Sequence, residues 1–236
     1  VALARAILAA SGGGLLVLDE PLSSLDRERR RRVLGLLIEL KSEGHCTALI
    51  VSHSASDLQV LCDEVQVLEA SGGRSSFGAA GPPVEVLADA GGFENILTGA
   101  LSAIQGDSAT CVVQDPRGGD PGTGFEVTIP GQGLAPGDRV VIGLRADDVL
   151  VTLDHPGRVS ARNVLGGKVV GVHPLSSYRT LEIQADGAHG QAPSFRTHIT
   201  QGALEELGIG VGTALYLMFK TRSVEVLAVT SQGAPS

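Results

Sequence analysis

The sequence predicts two fold classes in succession: an α/β block with a parallel sheet over residues 1–93, then an all-β region of small barrels. Two patterns carry that reading. Leu15–Leu18 and Thr47–Val51 are short, continuous apolar runs separated by an amphipathic helical stretch, the grammar of a strand–helix–strand crossover between parallel strands. Beyond Asn95 the chain breaks into short alternating runs with Gly, Pro and Asp between them, as closed antiparallel sheets require.

The front of the chain, Val1–Leu8, reads as helix, and a sequence that opens with Val inside a helix is expected to lack its front. Leu15–Leu18 predicts a strand buried on both faces, ending at Asp19-Glu20-Pro21. From Asp26 to Glu43 the spacing predicts a helix with Val33, Leu34, Leu37 and Leu40 on one side, stopped by Gly44. Thr47–Val51 is the second buried strand and ends at Ser52-His53. A short helix to Cys62, a strand at Val65–Glu69, a Gly72-Gly73 turn and a helix at Val84–Ala88 complete the block.

In the β region, strands are expected at Thr110–Gln114, Phe125–Ile129, Arg139–Leu144, Val149–Leu153, Lys168–His173, Arg179–Gln184, Ser194–His198, Ala214–Lys220 and Val224–Val229. Residues 115–124 and 186–193 read as loops. One helix interrupts the strands, with Thr200 as N-cap, Ala203, Leu204 and Leu207 facing inward, and Gly208 as terminator. No strong internal repeat is visible, although two successive β units suggest related folds.

Composition excludes several classes. The 236 residues suit one large domain or two to three small ones, and a formal charge of −8 argues against nucleic acid as partner. No apolar stretch reaches the roughly 18 residues that span a bilayer, and Arg5 with the Gly12–Gly14 break argues against a signal peptide. Cys46, Cys62 and Cys111 have neither paired number nor metal-ligand spacing, as expected of reduced thiols.

The chemistry in the first block lies at strand ends, where ligands of open parallel sheets sit. Two adjacent carboxylates there, Asp19 and Glu20, can divide the work of nucleotide hydrolysis, one holding Mg²⁺ and the other orienting and deprotonating water. His53 ends the neighbouring strand at the same edge. Taken singly, an acidic pair is more often a solvated strand end and a lone His structural. Together, Leu15–Pro21, Ser23-Ser24-Leu25-Asp26 and Val51-Ser52-His53 resemble the Walker B, D-loop and H-loop of the ABC ATPase family, in order and at normal spacing. The resemblance implies ATP and Mg²⁺ as cofactors, with Asp19 as the metal residue acting through water, Glu20 as catalytic carboxylate and His53 as switch histidine. It also implies that Ser24 and Asp26 couple two copies of the chain across a dimer interface. No Gly-x-x-x-x-Gly-Lys-[Ser/Thr] occurs, and Gly166-Gly167-Lys168-Val169 is a decoy, so this chain by itself is expected to bind ATP feebly and not to turn it over.

A tetrahedral dianion needs converging cations, hydroxyls and N–H groups. Ser160-Ala161-Arg162-Asn163 and Lys220-Thr221 supply them at strand ends, although either alone is more often a solvated cap. With Ile199-Thr200, Ala203–Gly208 and Phe219–Val224, these segments are similar to the Mop subtype of the TOBE domain, an OB-like barrel that binds molybdate or tungstate. By that resemblance Ser160, Arg162, Lys220 and Thr221 are oxyanion contacts and Asn163 shapes their loop. Glu94–Leu97 and Gly143–Val149 resemble the accessory region of importer ATPases and are assigned structure, not chemistry.

The expected organisation is the rear of an ABC ATPase domain at 1–93, an accessory β region at 94–156 and a Mop/TOBE domain at 157–230. The resemblance implies the ATP-hydrolysing subunit of a molybdate importer, acting as a dimer on membrane permease subunits at the cytoplasmic face of the inner membrane. A periplasmic oxyanion-binding protein would be an indirect partner. The alternatives are a non-catalytic molybdate store or sensor, and an importer of sulfate, tungstate, iron or a sugar.

Overall fold

The structure, a computed structural model, describes residues 3, 5–7, 14–44, 47–71, 74–87, 92–114, 124–175, 178–186 and 194–230. The chain forms two compact units, residues 1–93 with 228–230 and residues 94–227. Leu3 and Arg5–Ile7 are helical; the rest of the expected Val1–Leu8 helix, Cys46, the Gly72-Gly73 turn, Ala88 and almost all of both expected loops lie outside the described residues.

The first unit holds β1 (Leu15–Asp19), α1 (Arg27–Ser42), β2 (Thr47–Val51), α2 (Ala55–Leu61), β3 (Val65–Ser71), β4 (Arg74–Gly81) and α3 (Pro83–Val86). β1 and β2 are parallel, with Leu15 beside Thr47 and Asp19 beside Val51. Asp26 starts α1 by accepting the Arg29 N–H at 3.0 Å, satisfying one of the free N–H groups of a helix start. Gly44, at φ 67°, ends it in the left-handed region that glycine enters without a Cβ penalty. Leu34 and Leu37 of α1 are buried, as are Leu16, Leu18, Leu22 and Leu61.

Three expectations need correction here. The two strands are not buried on both faces: Leu15, Val17, Leu49 and Val51 are each more than half exposed, because the described sheet has two strands and shields one face of β1 only. Of the apolar side proposed for α1, Val33 and Leu40 are half-buried rather than core. The segment Arg74–Gly81, to which the sequence reading assigns no element, pairs antiparallel with β3 as β4. Its small and polar residues, Arg-Ser-Ser-Phe-Gly-Ala-Ala-Gly, lack the alternation that marks a half-buried strand, so hairpin pairing with β3 overrides weak propensity.

The second unit contains two five-stranded antiparallel sheets. Its strands are β5 (Asn95–Gln105), β6 (Ser108–Gln114), β7 (Phe125–Pro130), β8 (Arg139–Leu144), β9 (Leu150–Thr152), β10 (Asn163–Leu175), β11 (Tyr178–Ala185), β12 (Ser194–Thr200), β13 (Ala214–Phe219) and β14 (Glu225–Thr230). The sheet orders are β14-β8-β5-β6-β7 and β12-β11-β10-β13-β9. Val113, Val127, Ile129, Ile142 and Leu144 are fully buried in the first, and Val169, Leu181, Ile183, Phe195, Leu217 and Phe219 in the second. Each such side chain contributes roughly 1.5–3 kcal/mol by leaving water. Phe195 bridges Phe125 and Phe219, at ring separations of 5.7 and 6.0 Å. The helix α4 (Gln201–Glu206) is capped by Thr200 Oγ1 and followed by Gly208, but none of its residues is buried and Leu207 is exposed, which corrects the inward face expected for it.

The two halves of this unit are one motif used twice, a repeat not evident from the sequence. β5 pairs with β8 from Asn95–Leu144 to Ala100–Arg139, and β10 pairs with β13 from Asn163–Phe219 to Lys168–Ala214. A bulge follows Leu101 in β5 and Val169 in β10, at the same offset from the leading Asn. Leu101 bonds Asp138 and Gly137 through its N–H and C=O, and Val169 bonds Thr213 and Gly212 in the same way. A 3-10 turn, Ala146–Asp148 or Thr221–Ser223, then leads each chain segment out of its own barrel: β9 pairs with β13, and β14 lies beside β8.

Candidate functional site

In the first unit the parallel register carries Glu20 and His53 to the same sheet edge. The Glu20 N–H donates to Val51 C=O at 2.9 Å, continuing the β1–β2 ladder by one residue. Glu20 then turns with φ 45°, the only described non-glycine residue in the left-handed region, a conformation that costs an L-residue about 1 kcal/mol. The turn is held by Ser23, whose N–H and Oγ–H both donate to the Glu20 carbonyl, at 3.3 and 3.0 Å. In this pose Glu20 Oε1 accepts from the His53 N–H at 2.9 Å and lies 2.7 Å from His53 Nδ1. An ionised carboxylate only accepts, so Nδ1 carries the proton in this contact. The bond to the His53 side chain holds the Glu20 carboxyl below its ordinary value of 4.5. Both groups face solvent, His53 more than Glu20, so a water or phosphate can approach them.

The other predicted residues of this edge are placed differently. Asp19, at the last position of β1, is exposed, and Ser24 is exposed in the turn that follows Glu20. Asp26 caps α1 and also lies 3.4 Å from Arg29 Nε, so its carboxylate is engaged within its own helix. A supporting contact is invisible in the sequence. Arg30 of α1 donates to Ser54 Oγ at 2.9 Å and to Asp57 at 2.7 Å, where Asp57 is buried and Ser54 caps α2. These bonds fix the start of α2, the residue next to His53. The spacing of Asp26, Arg30 and Ser54 gives no sequence signal for it, because the partners lie on different elements.

In the second unit the antiparallel pairing of β10 and β13 puts Asn163 opposite Phe219, so Ser160 and Arg162 lead into one strand where Lys220 and Thr221 leave the other. Ser160, Arg162 and Lys220 are exposed, and neither cation pairs with a carboxylate among the described residues. Thr221 begins the second 3-10 turn, which packs against β7. Its Oγ1 is buried and has no hydrogen-bond partner among the described residues, an uncommon state for a buried hydroxyl. Asn163 acts on the backbone instead: its buried amide accepts the Thr128 N–H at 2.7 Å and donates to the Thr128 carbonyl at 3.0 Å, tying β10 to β7.

The comparisons with known proteins bear on the same stretch. Residues 159–226 match the TOBE domain, a span that contains Ser160, Arg162, Asn163, Lys220 and Thr221. Over nearly the whole chain, the molybdenum import ATP-binding protein ModC of Granulibacter bethesdensis is 30% identical across 240 aligned positions, covering 96% of this chain and 61% of that protein. The chain is thus similar to ModC over nearly its whole length and to the TOBE domain over residues 159–226. The molybdate/tungstate import ATP-binding protein WtpC of Pyrococcus abyssi is 29% identical over 234 positions, 96% of this chain and 60% of its own. The chain spans about three-fifths of the length of the relatives it matches. Among solved structures, the molybdate-bound form of the cytoplasmic molybdate-binding protein ModG aligns with a TM-score of 0.48 and 23% identity, over 58% of this chain and 96% of that one.

Proposed function

We propose that a protein carrying this chain is the ATP-binding and ATP-hydrolysing subunit of an ABC importer for molybdate, and that its second unit binds the oxyanion and restrains transport when the ion accumulates. In this reading residues 1–93 are the rear of the ATPase domain, 94–156 an accessory β region and 157–230 the Mop/TOBE domain. The likeness to ModC and WtpC over nearly the whole chain supports the transport role. The protein would work as a dimer on membrane permease subunits at the cytoplasmic face of the inner membrane, with a periplasmic oxyanion-binding protein upstream. No helix among the described residues is long and apolar enough to cross a membrane, consistent with a peripheral subunit.

In the first unit, Glu20 would take the proton of the attacking water, and His53 would hold the Glu20 carboxylate in line through the bond at 2.7 Å. Asp19, exposed beside it, would hold Mg²⁺ through water. Mg²⁺ bound there would supply charge neutralisation of the phosphates. The residues present fit the water-activating part of such a site. The chain has no Gly-x-x-x-x-Gly-Lys-[Ser/Thr] phosphate cradle, so alone it does not turn ATP over. Ser24 and Asp26 would face the second copy.

The observation that carries the oxyanion assignment is the buried Thr221 Oγ1, without a partner among the described residues, at the strand ends that also carry the exposed cations Arg162 and Lys220. A hydroxyl buried without a partner costs about 1–3 kcal/mol, and an oxyanion held by Arg162, Lys220 and Ser160 would accept from it. Asn163 would keep the strand end in place. Calorimetric titration of this chain with molybdate, tungstate, sulfate and phosphate tests the assignment. Saturable heat with molybdate or tungstate, lost in Arg162→Ala and Lys220→Ala, is the expected result; no heat with either metal oxyanion overturns it. Regulation requires that the ion favour one dimer geometry over another, so molybdate must change the ATPase rate of the assembled transporter.

A further inference from the structure

The internal repeat supplies a second corner equivalent to the proposed oxyanion corner. Superposing the two halves by their strand registers places Asn95 on Asn163, Leu144 on Phe219, and Thr128 on Arg196. The correspondence is functional at the backbone. Asn95 accepts the Arg196 N–H at 2.6 Å and donates to the Arg196 carbonyl at 2.9 Å, as Asn163 does with Thr128. Each 3-10 turn also packs against the last-named strand of the opposite barrel, Ala146–Asp148 on β12 and Thr221–Ser223 on β7. Asp148 and Ser223, which occupy equivalent places in the two turns, bond to each other at 3.2 Å.

The two corners share a cation, Lys220 or Arg145, and differ at the other places. Where the second has Arg162, Lys220, Thr221 and Arg222, the first has Glu94, Arg145, Ala146 and Asp147. In the first corner Glu94 Oε2 accepts the N–H of the fully buried Ala146 at 2.8 Å. In the second, Arg162 stands where Glu94 stands in the first, so the Thr221 turn has no such carboxylate, and the Thr221 hydroxyl is unpartnered among the described residues. The same place in the repeat therefore carries a carboxylate oxygen in one half and an unpartnered hydroxyl beside a guanidinium-bearing residue in the other.

We propose that Glu94 is a built-in anion: its carboxylate sits in the first corner where an oxyanion would sit in the second, so the repeat presents one oxyanion corner per chain and not two. The proposal rests on the oxyanion reading of the second corner and adds what closes the first. Asp147, where the second turn has Arg222, adds further negative charge to the first turn and is bonded to His198 at 2.9 Å.

Calorimetry and amide spectra on the whole chain with sodium molybdate decide it. The wild-type chain is expected to bind one equivalent, with the Thr221 amide signal shifting and the Ala146 signal unmoved. The double variant Glu94→Arg with Ala146→Thr, which removes the carboxylate and gives the first corner the arginine and threonine of the second, is expected to bind two. A wild-type chain that binds two equivalents, or whose Ala146 amide shifts with molybdate, overturns the proposal. So does a folded double variant that still binds one, and each of these leaves the second corner assigned. If the double variant does not fold, the wild-type amide signals decide alone. No binding by the wild-type chain overturns the oxyanion reading itself, and this proposal with it.

Discussion

Asn163 and Thr128 are joined as two strands are joined: the side-chain amide of one takes both the N–H and the C=O of the other, at 2.7 and 3.0 Å, inside the second unit. Asn95 repeats the arrangement on Arg196, and also donates to the Leu144 carbonyl at 3.1 Å. Both amides are nearly fully buried, so truncating either leaves a backbone donor and acceptor without partners. Asn163→Ala and Asn95→Ala are each expected to destabilise the chain by about 1–3 kcal/mol, measured by urea unfolding. Loss of oxyanion affinity should accompany the first far more than the second.

Thr221→Val is expected to separate stability from binding. Valine fills the space of threonine without an unpartnered hydroxyl, so the ligand-free chain gains about 1 kcal/mol. The same change removes a donor to the ion, and affinity for molybdate falls about tenfold, or about 1.4 kcal/mol. Thermal unfolding with and without molybdate reads both effects. A ligand-free chain destabilised by the valine would show that the hydroxyl is satisfied after all.

The Glu20–His53 bond predicts a pH dependence. The Glu20 carboxyl is held below 4.5, chiefly by the bond to the His53 side chain. A group lowered in the folded state stabilises the fold above its unfolded value, and that contribution is lost as pH falls through the folded value. The Glu20 carboxyl resonance should therefore titrate below the ordinary range, and in His53→Ala it should return toward 4.5. In the importer proposed above, Glu20→Gln is expected to abolish ATP turnover while ATP binding persists.

Replacing Arg30 by Met is expected to loosen the start of α2. Asp57 would keep its buried carboxylate and lose the guanidinium at 2.7 Å. Arg30 is itself over a third exposed, so the cost is about 1–3 kcal/mol and not that of a fully buried pair. Amide exchange at residues 53–57 should speed up before that of α1.

Gly99 of β5 is paired with Val113 of β6 and lies diagonally from Cys111, and a Cβ at position 99 would meet the Cys111 sulfur and the Val112 carbonyl. Gly99→Ala is expected to cost about 1–3 kcal/mol through overpacking. Burial also pushes the Cys111 thiol up to about 12 and raises that of the half-buried Cys62, so at pH 8 thiol reagents should label Cys62 slowly in the native chain and reach Cys111 only on unfolding.

The sequence was informative where local pattern decides structure. The apolar runs at Leu15 and Thr47 marked β1 and β2, and Asp26 with Gly44 bracketed α1, because caps and runs act within a few residues. It was silent where partners are distant. β5 escaped because its small residues, Gly99 and Ala100 among them, suit the close approach of Cys111 rather than an alternating pattern. The strand-end position of Glu20 and His53 was legible, but their direct bond depends on the left-handed turn at Glu20, which no residue type there advertises. The repeat did leave a trace: Gly133-Leu134-Ala135-Pro136-Gly137 and Gly208-Ile209-Gly210-Val211-Gly212 share their glycine spacing, and all four outer glycines have positive φ. The two leading asparagines share the following apolar pair, Ile96-Leu97 and Val164-Leu165.

The exchange of β9 and β14 between barrels makes the halves inseparable. A cut between Leu153 and Ser160 strips β9 from the edge of the C-terminal sheet and β14 from the edge of the N-terminal one, leaving each fragment with an open row of N–H and C=O groups. A tail excised at that point is expected to aggregate or to recruit a strand from a neighbour, whereas residues 94–230 taken whole keep both five-stranded sheets complete. Change at one corner is thereby tethered to the other, since each barrel is completed by chain that has just passed through its twin's turn.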